Sequence, residues 1–259
     1  MTTRDLLCVA DVGNTHTVVG VYDGDQLVHT WRLRTDRERT TDEWGLNLGS
    51  LFGMRGIDMA SVKGMAISSV VPPALHALRR ASQRYFGTEA LVVGPGIKTG
   101  LPIRYDNPRE VGADRVVNAV AAYARFKRAC IVVDFGTATT FDCISQKGEY
   151  LGGAIAPGLQ ISLEALVSRA AKLPRVEIDT PAQAIGRNTE EAMQSGILYG
   201  YAALTDGLVR RLADEMACEV AVIATGGLAS TVSAHAATLE TIIPDLTLEG
   251  LRLIYLRNR

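Results

Sequence analysis

Residues 129–156 read ACIVVDFGTATTFDCISQKGEYLGGAIA. An apolar run ends in Asp134-Phe135-Gly136, continues through the threonines at 137, 139 and 140, and gives way to a second apolar run. A turn at Gly148 then leads into a third. Short β-rich runs separated by turn residues predict a three-stranded meander. Residues 6–33, LLCVADVGNTHTVVGVYDGDQLVHTWRL, repeat that order, with turn clusters at Gly13-Asn14 and Asp23-Gly24-Asp25. Asp11 and Gly13 align with Asp134 and Gly136. A repeat spaced by about 120 residues is too long for a solenoid period and predicts two copies of one domain.

Helical patterns follow each meander. Residues 73–85 place Leu75, Leu78 and Tyr85 on one face, with Pro73 in the first turn, where its missing N–H costs nothing. Residues 112–126, GADRVVNAVAAYARF, are rich in Ala and Val and read as a largely buried helix. A long helix is predicted over 189–216, where Asn188-Thr189 is followed by Glu190 and Glu191, acids that favour a helix N-terminus. A shorter one is predicted over 247–256. Further strands are expected at 62–70, 91–93 and 220–224. A meander followed by alternating helices and strands, appearing twice, predicts two α/β domains with mixed sheets and a cleft between them. The expected domains are residues 1–116 and 117–259.

Composition narrows the function classes. The 259 residues carry 27 basic against 28 acidic side chains, a net charge of −1, which offers no footprint for nucleic acid or an anionic membrane surface. The apolar run of residues 6–10 is broken by Asp11, too short for a secretory segment. Nowhere do apolar residues approach the ~18–20 that a membrane span needs. Cys8, Cys130, Cys143 and Cys218 form no CxxC pair and are read as buried free thiols of a reducing, cytoplasmic protein. His16, His29, His76 and His235 are scattered, without zinc spacing.

The chemistry concentrates in the turns. In Asp11-Val12-Gly13-Asn14-Thr15 a strand runs into a tight turn of glycine and short polar side chains, exposing N–H groups and hydroxyls to an anion. Asp11 at the strand end suits a hydrated Mg²⁺, which prefers a carboxylate plus waters. Alone, this turn reads equally as an ordinary hairpin. Asp134-Phe135-Gly136-Thr137 supplies the same Asp-x-Gly again, so the pair is expected to clamp a nucleoside triphosphate. A third turn, Thr225-Gly226-Gly227, lets backbone approach adenine or phosphate. The chain has no GxxxxGK[ST] and no GxGxxG.

Two phosphate turns and a Gly-Gly turn, in that order on a duplicated fold, resemble the actin/sugar-kinase/Hsp70 superfamily. The runs SSVVPP, VVGPGIKTGLPIRYDNPREVGADRVVNAVAA, VVDFGTATTFD, GGAIAPGLQISLEAL, AAKLPRVEI, IGRNTEEAMQSGILYGY and LTLEGLRLIYLRN resemble type III pantothenate kinases along nearly the whole chain. The resemblance implies two ribonuclease-H-like (actin-like ATPase) domains and ATP-dependent phosphorylation of pantothenate to 4′-phosphopantothenate, the first step toward coenzyme A. It implies that Asp11, Val12, Gly13, Asn14, Thr15, His16, Thr17 and Val18 bind ATP together with Thr137. Gly112, Ala113, Asp114 and Arg115 would bind pantothenate with Tyr105 and Thr189, and Asp114 would be the general base. Asp134 would ligate a monovalent cation, K⁺ or NH₄⁺.

Each role has a plainer rival. Asp114 and Thr189 also suit helix starts, Arg115 a surface charge, and Asp134 a turn carboxylate or a second ligand for Mg²⁺ beside Asp11. A catalytically silent regulator, of the transcription accessory factor type that the family also resembles, is the alternative function. The resemblance further implies a homodimer, and the 112–126 helix is apolar over more than one stripe, enough to face a partner subunit as well.

Overall fold

The computed structural model describes residues 5–170 and 172–259. Residues 1–4 of the expected first domain, and position 171 in the AAKLPRVEI run, lie outside the described residues. The first meander is β1 (Leu6–Val12), β2 (His16–Asp23) and β3 (Gln26–Arg34). It is followed by α1 (Thr41–Gly53), β4 (Val62–Ser69), α2 (Pro72–Phe86), β5 (Ala90–Val92) and α3 (Ala113–Phe126). The second is β6 (Cys130–Phe135), β7 (Ala138–Ile144) and β8 (Tyr150–Pro157). After it come α4 (Leu159–Arg169), α5 (Thr189–Met216), β9 (Ala221–Thr225), α6 (Ala229–Ser233), β10 (Thr241–Ile242) and α7 (Leu246–Arg257).

The duplication is explicit in the sheets. One runs β3-β2-β1-β4-β5 and the other β8-β7-β6-β9-β10. In both, the meander is antiparallel and the next two strands join in parallel, so both sheets are mixed. By contacts the chain divides into one unit of residues up to Gly100 with Arg109–Ala121 and Thr247–Arg259, and a second of Leu101–Pro108 with Ala122–Leu246.

In the first unit, strand alternation sorts the side chains. Cys8, Ala10 and Val12 of β1 pack with Trp44, Leu48 and Phe52 of α1 and Leu78 of α2. Those α1 positions recur every four residues, the stripe that a helix buries. The opposite face meets α7: a Cβ added at Gly20 would stand 2.9 Å from Leu248, and one at Gly64 would strike Tyr255. Between α3 and α7 the approach is closer still, since a Cβ at Gly250 would collide with the carbonyl of Val117. Thr247 donates to Asn118 Oδ1 at 2.7 Å across the same contact. In the second unit Ile131, Val133, Phe135, Phe141 and Cys143 pack against Leu198, Tyr201 and Val209 of α5 and Leu159 of α4.

Two expectations need correction. Every residue from 115 to 122 of α3 is buried by the chain itself, so that stretch offers no face to a partner subunit, and only the last turn, with Tyr123, Ala124 and Phe126, stays half-exposed. Cys8, Cys130 and Cys143 are buried thiols, but Cys218, just past α5, is exposed. Burial pushes the Cys8 thiol up to about 12 and that of Cys130 to about 11. No helix among the described residues is long and apolar enough to cross a membrane.

The close α3–α7 approach generates a contrast between two glycine-to-alanine changes. Gly250→Ala forces the helices apart, at a cost of about 1–3 kcal/mol, and we expect the melting temperature to fall by several degrees. Gly196→Ala, in a helical position with nothing near its added Cβ, should raise it slightly through about 0.5–1 kcal/mol of helix propensity. Thermal melts of the two variants check both signs.

Candidate active site

Both central strands end in an aspartate on the face opposite the two-helix core. Asp11 falls between Ala10 and Val12 of the first core, and Asp134 between Val133 and Phe135 of the second. Asp11 is in register with Val18 of β2 and Ser68 of β4. Asp134 is correspondingly in register with Thr140 of β7 and Thr225 of β9. A glycine N–H closes each turn, from Gly13 to the carbonyl of His16 at 3.0 Å and from Gly136 to that of Ala138 at 3.1 Å. Asn14, Thr15 and His16 are exposed on the first turn, Gly136 and Thr137 on the second. Val12 and Thr17 instead turn their side chains inward, with the Thr17 and Thr35 hydroxyls bonded at 2.9 Å, so a ligand can meet only their backbone. Val18 is half-buried.

Asp11 is held from two sides. The Ser68 hydroxyl, itself fully buried, donates to Asp11 Oδ1 at 2.6 Å. Burial pushes the Asp11 carboxyl up to about 7, Ser68 opposes that shift, and the nearby charge of Asp114 adds to it. Asp114 stands in the first turn of α3, its Oδ1 accepting the Arg115 N–H at 2.8 Å. That pose requires Gly112, because a Cβ there would lie 2.5 Å from Asp114 Oδ1. Arg115 is buried, 8% exposed, which rules out the surface-charge reading.

The second turn is packed through a glycine as well. Gly226 has φ +92°, and a Cβ on it would stand 2.5 Å from Asp134 Oδ1 and 2.7 Å from the Phe135 backbone. The glycine after β9 is therefore needed for the strand end beside it, a reason different from the adenine approach expected from the sequence. Tyr105 lies on a segment that extends the second sheet past β8. Tyr150 N–H donates to Pro102 O and Arg104 N–H to Tyr150 O, both at 2.8 Å, and Arg104 pairs with Glu149 at 2.6 Å. The Tyr105 ring faces Tyr150, centroids 6.4 Å apart, and the Tyr150 hydroxyl donates to the buried Asp142 at 2.7 Å. Thr189 is exposed at the start of α5, where Asn188 caps the helix by accepting from Glu191 N–H at 2.9 Å.

Among the described residues no three His, Cys, Asp or Glu side chains gather as a metal site. A cation at Asp11 or Asp134 would thus have at most two such side chains there, the rest of its shell coming from water and other oxygens, as Mg²⁺ commonly accepts.

A model of the type III pantothenate kinase family matches residues 6–211. The chain belongs to the type III pantothenate kinase family. A type III pantothenate kinase of Geobacter sulfurreducens is 57% identical over 254 residues, 98% of this chain and 100% of that one. Solved structures share the fold of this pantothenate kinase family member at much lower identity. A putative Baf family transcriptional activator from Campylobacter jejuni superposes with TM-score 0.60 at 17% identity, covering 97% of this chain and 98% of that one. A ROK family glucokinase from Streptomyces griseus, solved with glucose and AMPPNP, gives 0.51 at 13%, covering 97% and 98%. Ser68 was not singled out from the sequence. Its signal was present in the SSVVPP run of the pantothenate kinase pattern, but only the parallel β1–β4 register reveals which serine meets Asp11.

Two outcomes are expected. Gly112→Ala should leave the fold intact, since the colliding atom ends a flexible side chain, yet displace Asp114 and lower kcat at least tenfold; steady-state kinetics with a thermal melt separate the two effects. Asp11→Asn should abolish turnover while stabilising the ligand-free protein. The Asp11 carboxyl is protonated in the folded state up to about 7 but ionises near 4 when unfolded. Wild-type stability is therefore lost as pH rises through that window. Melts from pH 4 to 8 should show the variant's advantage growing to several degrees and levelling above pH 7.

Proposed function

We propose that the chain transfers the γ-phosphoryl group of ATP to the primary hydroxyl of pantothenate, giving 4′-phosphopantothenate, the first step toward coenzyme A. The observation that carries this reading is Asp114, fixed on the first turn of α3 by the absence of a Cβ at Gly112 and close enough to Asp11 to alter its ionisation. The identity to curated pantothenate kinases over nearly the full chain supports the substrate.

Phosphoryl transfer needs alignment and charge neutralisation more than covalent chemistry. Asp114 accepts the hydroxyl proton as the P–O bond forms, a role a carboxylate fills because the proton leaves late. Arg115, buried beside it, orients the pantothenate carboxylate or phosphate oxygens through a planar, multiply donating head. Gly112, Ala113, Tyr105 and Thr189 complete the substrate contacts in this reading. Residues 11–18 and Thr137 hold the nucleotide, chiefly through exposed backbone N–H groups and short side chains.

Asp11 fits Mg²⁺, since a dication would relieve the charge burial that raises its pKa. Asp134 fits K⁺ or NH₄⁺ as a carboxylate at a strand end beside an exposed turn, the role the family pattern gives it. Either cation supplies positive charge to the phosphates that this chain provides through no Walker lysine. The reading also takes the enzyme as a cytoplasmic homodimer acting on neither nucleic acid nor membrane. Four free cysteines and a net charge of −1 support the compartment and the absence of a polyanionic partner. With α3 covered, exposed Ile155, Ile161 and Leu166 are better placed to meet a second copy.

The test is ADP release by purified protein given ATP, Mg²⁺ and pantothenate, with and without K⁺, beside Asp114→Asn. We expect pantothenate-dependent turnover that requires K⁺ and falls at least about 100-fold in the variant. A folded protein inert under every cation would instead favour the silent regulator.

A further inference from the structure

The first phosphate turn sits in an electrostatic setting that does not suit a polyanion. Asp11 and Asp114 lie close by, and the exposed side chains of the turn itself, Asn14, Thr15 and His16, include no lysine or arginine. One arginine nevertheless reaches the turn from outside it. Arg37 Nη2 donates to Asn14 Oδ1 at 3.1 Å.

Its backbone is fixed where that reach matters. Thr35, two residues earlier, donates its N–H to the Thr15 carbonyl at 2.9 Å, and its hydroxyl meets that of Thr17 in a buried pair at 2.9 Å. These bonds tie the end of β3 to the turn between β1 and β2. Carboxylates flank it on both sides in sequence, Asp36 and Glu38, and Asp36 spends Oδ1 on the Glu38 N–H at 3.0 Å, closing a small turn of its own.

The partner of Arg37 differs from those of the ion-paired arginines of this chain. Arg79 pairs with Glu89, Arg84 with Asp42, Arg104 with Glu149, and Arg128 with Glu219 and Glu240. Arg37 meets no carboxylate within ion-pair distance among the described residues and is aimed at a neutral amide on the phosphate turn. A guanidinium has five N–H donors, and a single bond to Asn14 leaves the others for phosphate oxygens.

We propose that Arg37 is a nucleotide-binding residue, donating to the β- and γ-phosphate oxygens of ATP and supplying the fixed positive charge that the turn lacks. This rests on the pantothenate kinase reading only for the identity of the nucleotide's acceptor. A rival role is mechanical, with Arg37 merely bracing Asn14. Charge and hydrogen bonding separate the two, because Arg37→Lys keeps the charge while Arg37→Gln keeps a neutral donor.

The experiment compares wild type with Arg37→Ala, Arg37→Gln and Arg37→Lys in steady-state kinetics, and measures ATP and adenosine binding by calorimetry. Arg37 is exposed, so all three should melt as wild type does. Loss of a charge-assisted bond predicts a KM for ATP raised about 10- to 100-fold in the Ala and Gln variants. The Lys variant should recover most of that loss, with the KM for pantothenate within about twofold of wild type and adenosine binding unchanged. A Gln variant equal to wild type, or an Ala variant with unaltered ATP affinity, overturns the proposal. If wild type binds ATP but does not turn over pantothenate, the functional reading fails, while a weakened ATP affinity of Arg37→Ala would still uphold this one.

Discussion

A carboxylate at the end of a central strand, crowded by protein and facing a second carboxylate, is the constraint around which the first unit is organised. Asp11 cannot avoid that position, because β1 must keep Ala10 and Val12 on the core side and therefore turns Asp11 to the other. Ser68 reduces the cost with one short hydrogen bond, but burial dominates and keeps the group poorly ionised in the ligand-free chain. A buried, poorly ionised carboxylate of this kind costs the fold stability, the usual conflict where a binding site is carried, and it suits the cation and phosphate chain proposed for it. The second unit repeats the register. Thr225 occupies the place of Ser68, while the space beside Asp134 is shaped by Gly226.

Much of this was legible in the sequence because it is local. The meanders follow from alternating apolar runs and turn residues, and the aligned Asp-x-Gly pairs disclose the duplication that the strand orders then express. The helices at 73–85, 112–126, 189–216 and 247–256 are recovered within a residue or two at either end. What escaped were α4, straight after the second meander, and α1, whose charged lead-in and two glycines blur the periodicity. For α1 the missed clue is specific. Its signal was the capping box, Thr40 and Glu43, in which Thr40 N–H donates to Glu43 at 2.7 Å. Gly45, one of those two glycines, lets the Tyr85 ring lie against α1. Burial on all sides of α3 was foreseen, but the element responsible, α7, lies far along the chain, and periodicity carries no information about which element covers a helix.

The site residues divide in the same way. The turn residues could be singled out because their chemistry and conformation coincide in a few consecutive positions. Ser68 and Arg37 act across strand register and across a hairpin, so neither stands out until the strands are paired. The Tyr105 segment is another case: it looks like a loop, and becomes the added edge of the second sheet only when its backbone bonds to Tyr150 are seen.

The membership of α7 in the first unit has a consequence for how the chain acquires its structure. Its contacts join Thr247 to Asn118 over 129 positions and Asn258 to Lys98 over 160. Pairings so distant in sequence close late and slowly, since the entropy of the intervening chain must be surrendered first. During synthesis the second unit is complete at Leu246, where α7 begins, so that unit can assemble while one face of the first sheet still waits for its covering helix. The Asp11 turn thus belongs to the half of the molecule whose packing is finished last.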